Sequence, residues 1–227
     1  NGVILITTKH GTAGQGKLEY DVYYGQQKIQ KRLPVMNLHQ YAEYFNSVLM
    51  DSTSGVTDTI GEFKDPSLLG PGTDWQDAVF QTGDVQNHQL SFSVGQGKST
   101  YYFSGNYFDQ TGILINSGFK RYAMRASVDQ QVKSWLKAGI STNLSTTDQK
   151  IPVTDGQQSV IASMLYNSPA TPVKTYNGDY VNTTTVQNVG FGNGQNPVAL
   201  AQLRNVQAKQ SKAFGDVYAE IDFTKDI

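Results

Sequence analysis

The stretch Gln89-Leu90-Ser91-Phe92-Ser93-Val94-Gly95-Gln96-Gly97-Lys98 opens the region from Val85 to Ser145 that decides the fold. Leu90, Phe92 and Val94 alternate with Gln89, Ser91 and Ser93. From Phe119 to Asp129, Tyr122, Met124, Ala126 and Val128 alternate with Arg121, Arg125 and Ser127. From Trp135 to Ser145, Leu136, Ala138, Ile140 and Leu144 alternate with Lys137, Ser141 and Asn143. Side chains two apart share one face of a strand, so each run has an apolar and a polar side. Between them, Ser99 to Asp109 carries aromatics at Tyr101, Tyr102, Phe103, Tyr107 and Phe108, on both faces. The region reads as two successive β-hairpins.

The connections alternate as regularly as the side chains. Gly95-Gln96-Gly97-Lys98 is a tight turn, Gln110 to Gly118 is longer, and Gln130 to Ser134 is short again. Long excursions flank the region on both sides. Short turns at one end and long loops at the other are the pattern of a transmembrane β-barrel, whose turns are periplasmic and whose loops are extracellular.

Composition is compatible with this. The chain has 227 residues, a formal net charge of -1, no Cys and 38% hydrophobic residues. No run approaches the roughly 20 apolar residues of a membrane helix, whereas a barrel strand needs only about 9–11 residues and buries every second one in lipid. No basic stripe gathers the 18 Lys and Arg, which argues against nucleic acid as a partner. Without Cys there are no disulfides and no thiolate metal sites.

Working outward, Val3-Ile4-Leu5-Ile6-Thr7-Thr8 reads as a strand covered on both faces, and the glycine-rich Lys9 to Gly16 as a linker. Leu18, Tyr20, Val22 and Tyr24 then alternate with Glu19, Asp21 and Tyr23 in a first wall strand. In the excursion that follows, Asn37 is placed to cap a helix carrying Leu38, Tyr41, Phe45, Val48 and Leu49. Thr73 and Gln76 form a capping-box pattern for a second helix, with Gly83 as its stop. Beyond the hairpins, Val160, Ile161, Met164 and Leu165 suggest a short helix ending before Pro169, and Lys212 to Phe223 returns as a sixth wall strand. With no initial Met and a terminal Thr224-Lys225-Asp226-Ile227 turn, the chain is expected to be an internal piece of a longer protein.

Sharper motifs fail on inspection. Gly97-Lys98-Ser99-Thr100 ends like a phosphate-binding loop, but Phe92 stands where the first glycine belongs and the turn joins two strands. Gly190-Phe191-Gly192-Asn193-Gly194 lacks dinucleotide-binding spacing. His10, His39 and His88 have no partners at metal-ligand spacing. No Gly-x-Ser-x-Gly elbow occurs, and carboxylates on wall strands suit a polar lumen better than acid/base chemistry. No catalytic, cofactor-binding or metal-binding residue emerges, and a non-enzyme is expected. Among Trp75, Tyr166, Tyr176 and Tyr180, loop packing is the expected role of each, and no substrate contact is singled out.

Asn1-Gly2-Val3-Ile4-Leu5-Ile6-Thr7-Thr8-Lys9 resembles the close of the plug domain in SusC/RagA-type TonB-dependent outer-membrane transporters. Thr73-Asp74-Trp75-Gln76-Asp77, Phe92-Ser93-Val94-Gly95, Tyr101-Tyr102-Phe103-Ser104-Gly105-Asn106-Tyr107, Asp109-Gln110-Thr111-Gly112-Ile113-Leu114, Phe119-Lys120-Arg121 and the loop with Asn167, Pro169 and Pro172 follow in the family's order. The resemblance implies an all-β fold: part of a 22-stranded antiparallel barrel with helix-containing extracellular loops and the last strand of a plug. On that reading, residues 1–9 end the plug, 10–16 are linker, and 17–227 are the first six barrel strands with extracellular loops 28–84, 110–118 and 146–209. It further implies TonB-dependent import of an oligosaccharide or peptide across the outer membrane of Bacteroidetes-type bacteria. The implied partners are a SusD-like surface lipoprotein over the mouth, outer-membrane lipid, and the TonB complex acting through a segment this chain lacks. The alternative is a secreted β-sandwich carbohydrate-binding module, whose strands would alternate in the same way.

Overall fold

The computed structural model describes residue 11 and residues 14–49, 63–181 and 195–223. The covered strand expected at 1–9, His10, the glycine run at 190–194 and the terminal turn at 224–227 lie outside the described residues. Among the described residues, strands β1 (Gly14–Gln27), β2 (Gly83–Gln96), β3 (Ser99–Thr111), β4 (Gly118–Lys133), β5 (Leu136–Lys150) and β6 (Gln207–Ile221) form one antiparallel sheet in the order β1-β2-β3-β4-β5-β6. Every strand thus pairs with its neighbours in sequence. Gly97 opens the β2–β3 turn at φ 60°, a backbone that glycine adopts without steric cost and that suits the twist of a two-residue hairpin.

The strands are longer than their alternation suggested, at 13 residues for β3 and 16 for β4. β5 continues to Lys150 and β6 begins at Gln207, so both run into what reads as loop 146–209. Ladder bonds are made by the main chain, so pairing persists after the apolar/polar pattern has faded. For the same reason β1 opens at Gly14, inside the stretch 10–16 that reads as linker, with a register shift between Gly14 and Lys17 marking its irregular entry.

Register puts the alternating apolar residues on one face. Leu18 pairs with Phe92, Phe92 with Phe103, and Phe103 with Ala126; Val128 pairs with Ile140, and Ile140 with Val217. That face is open. Met124 is 66% exposed, Ile140 52% and Val217 79%. A sandwich would bury these side chains under a second sheet, and among the described residues no second sheet covers them.

Toward the long-loop end, the apolar face finishes in two transverse rows. The first is aromatic: ring centroids are 6.2 Å apart for Tyr20 and His88, 6.1 Å for His88 and Tyr107, and 5.1 Å for Tyr107 and Tyr122. The second is ionic, with Lys120 3.0 Å from Asp109 and Lys209 3.8 Å from Asp148. At the other end, Trp135 and Phe223 are exposed beside the β4–β5 turn, where Asp222 N donates to the Trp135 carbonyl at 2.9 Å.

Among the described residues the excursions carry four α-helices, α1 (Leu38–Leu49), α2 (Trp75–Val79), α3 (Val160–Tyr166) and α4 (Pro197–Leu203), and a short 3-10 turn at Pro66–Leu68. Asn37 caps α1 as the sequence suggests, accepting from Gln40 N at 2.9 Å, and Gln40 Oε1 in turn accepts from Asn37 N at 3.2 Å. The cap of α2 is Asp74 instead of Thr73, accepting from Asp77 N, and the helix stops at Val79, before Gly83. A carboxylate one residue later suits the positive end of the helix better than a hydroxyl. Gln76, freed from capping, holds the main chain of Leu33, donating to its carbonyl at 2.8 Å and accepting from its N–H at 3.0 Å. Helix α4, unforeseen from the sequence, starts at Pro197 under an Asn196 cap that accepts from Val198 N and Ala199 N.

Candidate functional site

The long excursions meet at one end of the sheet. Trp75 and Val79 of α2, Leu114 of the β3–β4 loop, Val160 and Met164 of α3, and Val198 and Ala201 of α4 form one buried cluster, with Val79 and Val160 fully covered. Apolar contact selects these partners and hydrogen bonds fix their register. Trp75 Nε1 donates to Ser168 O at 3.0 Å, Thr73 N to Pro169 O at 2.8 Å, and Ile115 N to Val79 O at 3.0 Å. Asn116 Nδ2 donates to Ala201 O at 2.8 Å. Asn196 Nδ2 donates to Val173 O at 2.8 Å. Three loops that are far apart in sequence therefore make one packed body above the strand ends.

A smaller cluster joins Ala42 and Phe45 of α1 to Phe63, with Tyr41 packed against it. The extended segment before α1 is tied to α2 by Arg32, whose guanidinium reaches Asp77 at 2.7 Å and Asp74 at 3.3 Å. The Asp77 carboxylate raises Arg32 above the ordinary guanidinium range. Between this segment and α3 runs a groove of about 400 Å³, lined by Val35, Met36, Trp75, Met164 and Tyr166.

The polar face of the sheet leads into this region from below. Register aligns Glu19 with Ser91, Ser104 with Arg125, Arg125 with Asn143, and Ser141 with Asp216. Its middle is covered: Ser127, Asp129 and Ser141 are buried, and Tyr218 and Thr100 donate to Asp129 while Ser141 donates to Asp216. Arg125 Nε and Nη2 and Ser127 Oγ are buried without a hydrogen-bond partner.

The four aromatics considered from the sequence separate. Trp75 is buried in the loop core, and Tyr180 is half-buried under the Lys174 ammonium, 5.1 Å from its ring centroid. Tyr166 and Tyr176 stand exposed. Of the histidines, His39 donates to Pro66 O and contacts Glu43, while His88 bonds Tyr20. Among the described residues no cluster could hold a metal ion, and no helix is long and apolar enough to cross a membrane, which says nothing of a strand-built barrel.

Sequence reading missed a row of amides on the polar face. Gln110 pairs with Phe119 and Phe119 with Gln149, and Gln110 Nε2 donates to Gln27 Oε1 at 3.0 Å. Its signal lies in the register of three strands, which no single stretch of sequence displays.

No family model matches the chain. Among curated proteins it is similar to TonB-dependent receptor P3 of Formosa agariphila, 31% identical over 230 residues that cover 98% of this chain and 21% of the relative. It is also similar to the TonB-dependent receptor SusC of Bacteroides thetaiotaomicron, 29% identical over 246 residues that cover 98% of this chain and 23% of the relative. The chain thus spans about a fifth of the length of these relatives. Among solved structures, the RagAB peptide importer in its 'closed-closed' state matches with a TM-score of 0.70 at 20% identity, covering 96% of this chain and 27% of that one. Its 'open-open' state matches with a TM-score of 0.69 at 21% identity and the same coverages. At these identities the structural likeness is one of fold.

Proposed function

The chain belongs to the SusC/RagA-type TonB-dependent receptors, and on that premise we propose that its sheet is one sector of a 22-stranded barrel importing a large nutrient across the bacterial outer membrane. The proposed order is a plug ending within residues 1–9, a short linker, and a barrel wall from β1 onward, with the α1–α2 excursion, the β3–β4 loop and the α3–α4 excursion outside the cell. The carrying observation is a one-layer sheet whose open face is apolar and bounded by an aromatic row at one end and by Trp135 and Phe223 at the other.

Its dimensions support the reading. From Leu136 beside Trp135 to Thr146 at the level of the Tyr107–Tyr122 row is roughly 33 Å along β5. At a tilt of about 40° this is roughly 25 Å along the membrane normal, the height of the apolar band on outer-membrane barrels. The ion pairs beyond Tyr122 then sit at headgroup level. The free edges of β1 and β6 agree as well: unpaired main-chain groups cost several kcal/mol each in hydrocarbon, so the sheet needs neighbouring strands on both sides.

A barrel of this width is filled by a plug, against which the polar face of the sheet would lie. The packed loop body would form part of the mouth, where substrate and a SusD-like lipoprotein meet the barrel, with energy supplied by the TonB complex. The reading is tested in whole cells by uptake of fluorescent oligosaccharides and peptides through the full-length receptor. Uptake is expected to require both the receptor and the proton-motive force, and to stop with a protonophore. Uptake that survives the protonophore, or recovery of the receptor in the detergent-free soluble fraction, would refute it.

A further inference from the structure

On the open apolar face, Gly105 of β3 lies in direct register between Leu90 of β2 and Met124 of β4, and Leu144 of β5 continues the row. The missing side chain opens a groove of about 300 Å³, walled also by Phe92 and Phe103. Strand alternation directs the side chains of the adjoining Ser104 and Arg125 to the opposite face. Nothing among the described residues requires the glycine. Its φ is outside the left-handed region, and a Cβ built on it would meet no atom of the described residues within 4 Å. A glycine inside a strand weakens it, and where neither the backbone nor a neighbouring chain demands one, the close approach of a ligand is the reason that remains.

Nearer the long loops, past the Tyr107–Tyr122 pair, the same face carries Asp109, Lys120, Asp148 and Lys209 in direct register across four strands. The charges alternate. Lys120 lies 3.0 Å from Asp109 and Lys209 3.8 Å from Asp148, and both lysine side chains are more than half exposed. From Gly105 to Asp109 is about 14 Å along β3. The groove therefore lies in hydrocarbon when the charged row is at headgroup level.

A groove that takes an apolar chain, set below a row that takes charge, has the layout of a lipid site. The row selects the headgroup. A purely anionic one meets a carboxylate beside each lysine of the row, whereas a headgroup holding both a phosphate and a primary ammonium can set the phosphate on Lys120 or Lys209 and the ammonium on Asp109 or Asp148. We infer that this face binds one phosphatidylethanolamine molecule, with an acyl chain in the groove over Gly105 and the phosphoethanolamine group on the charged row. The inference rests on the import reading in that it sets this face against the membrane.

The experiment is native mass spectrometry of the full-length receptor, released from detergent after incubation with phosphatidylethanolamine, phosphatidylglycerol and lipid A at equal concentrations. The native receptor should retain one phosphatidylethanolamine in preference to the other two. Gly105→Leu fills the groove, and because its side chain enters open space the barrel should still migrate as folded without heating. Lys120→Gln removes a partner of the phosphate. Each should lower retention about five- to tenfold, through lost apolar contact in the first and a lost charge-assisted hydrogen bond in the second. Asn143→Ala, on the polar face, should leave retention unchanged. The inference is overturned if phosphatidylglycerol or lipid A is retained as well as phosphatidylethanolamine, if no lipid is retained, if retention survives both substitutions, or if it falls equally in Asn143→Ala. Recovery of the receptor in the detergent-free soluble fraction would instead count against the import reading, and is visible before any lipid is added.

Discussion

Arginine in place of Ile140 is expected to abolish insertion of the barrel, whereas arginine at Asn143 on the same strand leaves it intact. Ile140 sits between Val128 and Val217 near the centre of the open apolar face. In the proposed barrel its neighbours would be lipid chains, and a guanidinium at that depth would cost about 2–4 kcal/mol. Asn143 pairs with Arg125 and Phe214 on the polar face, where an added cation faces one like charge, a penalty of under about 1 kcal/mol, but stays off the apolar face. The two variants separate in a heat-modifiability gel of outer membranes. Ile140→Arg should give little or none of the fast-migrating folded form, and Asn143→Arg close to the native amount. Equal behaviour would mean that the faces are assigned wrongly.

The second large effect is expected in the loop body. Trp75→Ala removes a buried ring that touches α3 and α4 and leaves the Ser168 carbonyl without its donor, at a cost of about 3–5 kcal/mol for a large aromatic. Because the loops depend on one another for burial, loss of this anchor should loosen both long excursions while the ladder persists. Protease added to intact cells should cut residues 151–181 of the Trp75→Ala receptor much faster than those of the native one, with folded barrel yield unchanged. Tyr176→Ala, at a fully exposed position, should be indistinguishable from native. A native cleavage rate in Trp75→Ala would show that the loops are held by something other than this core.

These expectations draw unequally on sequence. The wall was legible because a sheet with one apolar and one polar face imposes a period of two, which β2, β4 and β5 keep nearly without exception. Strand ends were not, since beyond the aromatic row the composition of Asp148, Gln149 and Lys150 no longer alternates between apolar and polar. Helix α1 announced itself through Asn37 and its apolar spacing. Helix α4 had an equally good signal in Asn196-Pro197, but its seven residues give less than two turns of periodicity. The shift of the α2 cap from Thr73 to Asp74 turned on a choice between adjacent residues that both accept hydrogen bonds. The burial of Trp75 and the exposure of Tyr166 and Tyr176 were undecidable locally, because they depend on contacts between residues dozens of positions apart. The amide row belongs to the same class.

The most direct measurement uses the absence of cysteine from these 227 residues, with any cysteine elsewhere in the receptor replaced by serine. Single cysteines placed in turn from Ala138 to Thr146 of β5 in the full-length receptor can be labelled with a polarity-sensitive fluorophore and quenched by brominated lipid. Strong quenching at 138, 140, 142, 144 and 146 with weak quenching at 139, 141, 143 and 145 is the predicted result. Uniform quenching, or none at the even positions, would contradict the claim that one face of this sheet lies against the membrane.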